Sequence, residues 1–314
     1  MTRVLCALLL ALLASSARAG PYPGVPTRDQ NPLLQAYFIP AMPAVGPDRW
    51  SFSHSLYITN TYQRDTDADE QLLIDVENTR YDFQANFRHN RWIFNLNLSL
   101  IDNRGGFLDQ TIEGWHDIFG LPQGGRDMAL NNRIGLRYLS NGSTLIDSQQ
   151  SARGLADIQL AIGTATNSGQ WWLAVELPSS ANSPLISNDG VDIAAWYATA
   201  SEWRQDIRWY GLAGIALPAD RGLFRSQLNS HYLFGQLGLL YRHDSDWHFF
   251  FQLDVHSAIV KDSDLDAFDN SLQGQFGLRL PSLLSDYQLD LFFSEDLFPG
   301  HAPDITFSLR LSPS

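Results

Sequence analysis

Trp247-His248-Phe249-Phe250-Phe251-Gln252-Leu253-Asp254-Val255-His256-Ser257 is the stretch that decides the fold. Trp247, Phe249, Phe251, Leu253 and Val255 share one parity, and His248, Gln252, Asp254 and His256 share the other, with Phe250 among them. Successive side chains of a strand point to opposite faces, so this segment has one apolar and one polar face. The pattern recurs. Trp92, Phe94, Leu96, Leu98 and Leu100 oppose Asn95, Asn97 and Ser99, and Tyr287, Leu289, Leu291 and Phe293 oppose Gln288, Asp290 and Ser294. Ile305, Phe307, Leu309 and Leu311 oppose Thr306, Ser308 and Arg310.

Twelve strands are predicted, over 50–61, 70–88, 92–101, 154–165, 171–177, 191–200, 208–217, 229–242, 247–258, 271–280, 287–294 and 304–312. One is imperfect. Tyr81, Phe83, Ala85 and Phe87 keep one parity while Ile74 and Val76 sit on the other, as a bulge or a strand projecting beyond a membrane would produce. A soluble sandwich and an outer-membrane barrel both satisfy the alternation, and the connections separate them. The connections 89–91, 166–170, 201–207, 243–246 and 281–286 are short, whereas 62–69, 102–153, 178–190, 218–228 and 259–270 are longer. The two classes alternate strictly, as the periplasmic turns and extracellular loops of outer-membrane barrels do. Trp92, Trp171, Trp209, Trp247 and Tyr287 each open a strand after a short turn, and Trp50 opens the first. That places them at one interface, as an aromatic girdle. The expected fold is an all-β, antiparallel transmembrane barrel of about twelve strands.

Composition agrees. The chain has 314 residues, 12% aromatic and only 18% charged, with 21 Lys+Arg against 34 Asp+Glu and a formal net charge of −13. Lys261 is the single lysine, and no basic tract offers a footprint for nucleic acid. Arg3, the apolar run Val4–Ala14 and Ala17-Arg18-Ala19 form a secretory signal peptide over 1–19, cleaved after Ala19. Cys6, the only cysteine, falls inside it, so the mature chain has no thiolate for zinc, iron–sulfur or nucleophilic chemistry. No later run is long and apolar enough for a membrane helix. Residues 20–49 hold seven prolines and read as an irregular periplasmic leader before a barrel at 50–314. Within the large extracellular loop 102–153, Leu108, Ile112, Trp115 and Phe119 make a helical stripe over 107–119. Arg133–Leu139, Asn141-Gly142 and Ser143–Ile146 read as a hairpin with a type I′ turn.

Several stretches together resemble an uncharacterised family of proteobacterial outer-membrane proteins, domain of unknown function 3187. They are Asn31-Pro32-Leu33-Leu34, Glu77-Asn78-Thr79-Arg80, the run from Asn103-Arg104-Gly105-Gly106-Phe107-Leu108-Asp109 through Trp115-His116-Asp117 to Phe119-Gly120-Leu121-Pro122, and Gly154-Leu155-Ala156-Asp157-Ile158. The last, with Glu176-Leu177-Pro178, is also similar to outer-membrane proteins of meta-pathway phenol degradation. The resemblance implies an outer-membrane barrel and supplies no catalytic residues.

The candidate site residues follow from strand parity. Arg80, Asp82, Arg88, Asp157, Trp172, Glu176, His248, Asp254, His256, Arg279, Asp290 and Arg310 are expected to face the lumen, as are Asp192, Trp196 and Arg242. Charges there need a wet channel or internal ion pairs, and their mixed signs argue against a strongly selective pore. Asp109, Glu113, His116 and Asp117 share one helical face in the large loop. They form a solvated face, an acid/base cluster or a site for a divalent cation, the one cofactor the pattern admits. Acidic loop tips at Asp65, Asp67, Asp69 and Glu70, and at Asp262, Asp264, Asp266 and Asp269, read either as solvated or as cation recruiters near lipopolysaccharide. No Gly-x-Ser-x-Gly, phosphate loop or GxGxxG occurs. The expected function is a narrow channel or binding barrel passing a small solute, apolar or aromatic. The alternatives are an enzyme modifying lipid or lipopolysaccharide and a plugged structural or assembly barrel. The expected partners are outer-membrane lipid and lipopolysaccharide, the barrel-assembly machinery and the solute, with the chain exported through a Sec signal to the outer membrane of a Gram-negative cell.

Overall fold

In a computed structural model the structure describes residues 22–26, 29–37, 42–43, 45–46, 49–106, 108, 114, 132–179, 182–243, 247–284, 286–297, 303 and 305–314. Twelve antiparallel strands close into a barrel: β1 (Trp50–Thr66), β2 (Glu70–His89), β3 (Trp92–Arg104), β7 (Ile158–Ala165), β8 (Gln170–Leu177), β9 (Asp192–Glu202), β10 (Ile207–Leu217), β11 (Tyr232–Arg242), β12 (His248–His256), β13 (Ser271–Leu284), β14 (Tyr287–Asp296) and β15 (Ile305–Pro313). Each strand pairs with its chain neighbour, and β1 pairs with β15, with Leu56 opposite Leu309, to close the ring. Short pieces β4 (Gly135–Ser140), β5 (Ser143–Ser148) and β6 (Ala152–Leu155) extend the wall at its long-loop end. Closure leaves no free edge, which is what lets a sheet satisfy its backbone in lipid.

Alternation sets the two faces. Trp50, Phe94, Leu173, Phe276, Leu291 and Phe307 are exposed on the outside. Ser53, Asn97, Gln159, Gln236, Gln275 and Thr306 are buried on the inside. A continuous apolar exterior around a polar interior is the inverse of a soluble core and suits contact with lipid.

Two details depart from the sequence reading. The 62–69 connection is mostly strand: β1 and β2 stay paired out to Thr66 opposite Gln71, leaving a turn at 67–69. β2 also carries no bulge. Its even positions face inward throughout, so Leu72, Ile74 and Val76 cover the inside of the projecting mouth while Asn78, Arg80 and Asp82 line the barrel below. The hairpin at 135–148 is present. Asn141 and Gly142 have φ of 50° and 73°, the left-handed pair a type I′ turn requires. Residue 108 and the isolated 114 apart, the helix expected over 107–119 lies outside the described residues, as do Asp109, Glu113, His116 and Asp117.

Inward glycines make room for aromatic rings lying flat on the wall. Gly238 stands opposite Tyr210 on β10, where a Cβ would come within 2.1 Å of the ring. Gly163 opposes Trp172 and Gly277 opposes Phe250 in the same way. These rings shrink the lumen without crowding the backbone.

Candidate functional site

The leader fills the lumen. The sequence places 20–49 in the periplasm; its described residues instead run inside the barrel, with Val25, Leu33, Leu34, Tyr37 and Met42 at most 2% exposed. A proline-rich segment cannot join the wall as a strand, yet its peptide groups still need partners, and polar lumen side chains provide them. The path is a U. At the short-turn end the Arg279 guanidinium donates to the Pro23 carbonyl at 2.8 Å and Arg310 to Gly24 at 3.1 Å. Higher up, Gln252 accepts from the Val25 N–H at 3.1 Å and donates to its carbonyl at 3.2 Å, copying the two-way pairing of a neighbouring strand. Gln236 donates to the same carbonyl at 3.1 Å. His256 Nε2 meets Asp29 Oδ2 at 3.0 Å, and its Nδ1 meets the Ser257 carbonyl at 3.0 Å. With hydrogen on both ring nitrogens the imidazole donates to both partners, and its contact with Asp29 is then an ion pair.

The bend of the U, at 31–37, sits at the long-loop end. Asn31 donates to the Ala267 carbonyl at 3.3 Å, and the Phe224 N–H donates to the Tyr37 hydroxyl at 2.7 Å. Leu33, Leu34 and Tyr37 join Leu72, Ile74, Tyr138, Phe224, Leu228 and Phe268 in a buried apolar cluster that caps the mouth. The leader then descends past Trp196, whose indole N–H points at the Met42 sulfur 3.2 Å away, and reaches Ser51 at Gly46. Trp172 and Trp196 stack at 5.9 Å on the facing wall. The space left between leader and wall near Asp29, Asp254 and His256 is about 20 Å³, room for one water.

Arg80, Asp82, Asp254, Arg279, Asp290 and Arg310 are buried on the inner side of the wall. Arg80 pairs with Asp82 at 2.8 Å, and Arg279 forks onto Asp290 at 2.7 and 3.0 Å, with Arg310 3.9 Å from the same carboxylate. Asp254 accepts from Gln236 at 2.8 Å and from Gln252 at 3.0 Å. These inward charges are partnered by ion pairs and hydrogen bonds. His248 and His256 lie at opposite ends of β12. Among the described residues no group of three His, Asp or Glu is placed to hold a metal ion.

The carboxylates at the long-loop end are loop anchors. Asp157 accepts the N–H groups of Ser179 and Asn188 at 2.9 and 3.2 Å. Burial raises its carboxyl above the usual range, against the pull of hydrogen bonds from Ser187, Ser179 and Asn188. Asp192 accepts from Ala219 at 2.6 Å and Asn188 at 2.7 Å. Glu70 accepts from Ser263 and Asp264 at 2.8 and 3.1 Å and from the Tyr138 hydroxyl. Asp65 accepts from Asp266 at 3.2 Å. Two of the acidic positions read from sequence as loop tips, Asp65 and Glu70, therefore serve as acceptors for a neighbouring loop.

Sequence reasoning missed one network. Asn78 donates to Gln35 at 2.9 Å and to Asn103 at 2.6 Å, and Gln35 donates to Asn103 at 3.0 Å. Beside it, Glu77 accepts the Leu108 N–H at 3.0 Å. The signal was available: Asn31-Pro32-Leu33-Leu34, Glu77-Asn78 and Asn103, the stretches carrying the family resemblance, converge on this bend.

A crystal structure of the COG4313 outer membrane channel from Pseudomonas putida F1 is similar to this chain, at 12% identity over 87% of this chain and 96% of that one, with a TM-score of 0.54. At that identity the likeness shows the fold, that of an outer-membrane channel. The Pseudomonas putida toluene transporter TodX is 9% identical over 96% of this chain and 95% of its own, with a TM-score of 0.41. No curated protein matches the chain. The family described as Protein of unknown function (DUF3187) matches residues 1–313, and the chain belongs to it.

Proposed function

We propose that this protein is a narrow outer-membrane channel or binding barrel for a small solute, apolar or aromatic, and that its leader is the plug. The observation that carries the reading is the U-shaped leader, held by side-chain hydrogen bonds inside a closed twelve-stranded wall. Such a plug is a separable segment. It is held by side-chain hydrogen bonds, each worth about 1 kcal/mol, and by the apolar cluster at the bend, but among the described residues no ladder of backbone bonds joins it to the wall. Trp172, Trp196 and Phe234, on the face the descending arm covers, offer the apolar surface a freed lumen would present to a solute.

Single-channel conductance of the purified protein in planar bilayers tests the proposal, with and without deletion of residues 22–46. Low or absent conductance in the full chain and steady conductance after deletion is the expected result. Silence in both, with heat-modifiable mobility showing an intact barrel, refutes the channel. The third reading, a structural barrel plugged for good, is the one the filled lumen would then favour.

A further inference from the structure

Charge is not evenly mixed along the barrel axis. The carboxylates Glu70, Asp157 and Asp192 cluster at the long-loop end and are spent on loops. At the short-turn end a cavity of about 530 Å³ opens below the leader, and five guanidiniums line it: Arg88, Arg208, Arg242, Arg279 and Arg310, with His248 beside them. The carboxylate side chains paired with these five are Glu202, which meets Arg208 at 3.9 Å and also binds Arg242, and Asp290, which is committed to Arg279. Arg88 has no ion pair among the described residues.

The Nε groups of Arg88 and Arg310 are buried and make no hydrogen bond among the described residues, and that of Arg208 has only the Glu202 carboxylate, 3.9 Å away. Arg310 is itself only 4% exposed. Five guanidiniums set against two carboxylate side chains leave this cavity short of negative charge, which an anion entering it would supply. Guanidinium forks match the planar, two-oxygen edge of a carboxylate or the face of a phosphate. The cavity wall also carries Tyr22, Leu240 and Pro313, which suit a short apolar body attached to the charge.

We propose that this vestibule is a binding site for a small organic anion presenting a carboxylate or a phosphate. The site is reached from the short-turn end while the leader is in place, so the proposal stands whether or not the barrel conducts.

The test is equilibrium binding to the full-length mature protein in detergent, measured by titration calorimetry with sodium benzoate, inorganic phosphate and, as the neutral control, benzyl alcohol. Saturable binding of benzoate identifies a carboxylate site and saturable binding of phosphate alone a phosphate site; either supports the proposal. Arg88→Gln and Arg208→Gln each weaken the anion about tenfold, the worth of one charge-assisted hydrogen bond, and both leave the buried Arg279–Asp290 pair intact. Heat-modifiable mobility checks that each variant is folded. Absence of saturable binding by either anion, wild-type affinity in both folded variants, or benzyl alcohol binding as tightly as benzoate overturns it.

Discussion

His256→Leu tests the plug at its most committed contact. The Asp29 side chain is fully buried, and the variant leaves its carboxylate the Asn31 N–H at 2.8 Å. Removing one partner of a buried pair costs about 3–5 kcal/mol. The surviving Asn31 bond argues for the low end, about 3 kcal/mol. The loss falls on the leader's docking and not on the wall, because Leu can occupy the β12 position without breaking a ladder bond. A shift of about 3 kcal/mol raises the undocked population roughly a hundredfold. Native-state hydrogen exchange reads that population directly. The Val25 and Leu33 amides are expected to exchange about a hundredfold faster, while wall amides such as Gln252 and Gln275 keep their rates. The double variant Asp29→Leu/His256→Leu removes the unpaired charge and should recover most of the docking, giving a large coupling energy. Acceleration below about tenfold in the leader, or equal acceleration in the wall, would refute the reasoning.

Arg279→Met strands Asp290, which is fully buried, beside an Arg310 3.9 Å away; the barrel is expected to lose about 3–5 kcal/mol, read as a lower temperature for the shift in heat-modifiable mobility. Gly277→Val puts atoms where Phe250 lies flat on the wall, 2.2 Å from the glycine's would-be Cβ, and should cost about 1–3 kcal/mol on the same assay, with Phe250→Ala in the same chain relieving it. Burial, with the hydrogen bond to Glu70 adding to it, pushes the Tyr138 hydroxyl up to about 12 from an ordinary value near 10. The neutral phenol is the form the fold prefers, so hairpin stability is complete below pH 10 and declines as pH rises from 10 to 12. Limited proteolysis at 135–148 should accelerate over that window in the natural protein and stay flat in Tyr138→Phe.

The barrel was legible because its signal is local. A strand's side chains alternate every two residues whatever else the chain does, so the wall's twelve strands, the exterior and lumen faces and the Asn141-Gly142 turn could be read from short windows. Register and closure then follow from consecutive hairpins. The projecting ends of β1 and β2 were harder, because apolar Leu72, Ile74 and Val76 on the lumen parity make sense only once a cap exists for them to meet. The leader was not legible at all. Its prolines erase any period, and nothing within 20–49 says that Val25 will meet a glutamine more than 200 residues away. An inward Gln, Arg or His also looks the same in sequence whether it faces water, another side chain or a peptide. Which of these it meets is decided when a ring of strands brings distant residues around one enclosed segment. Desolvated peptide groups and charges must then find partners within that space. The wall is therefore the sequence's own statement, and the plug and the cationic vestibule belong to the tertiary structure.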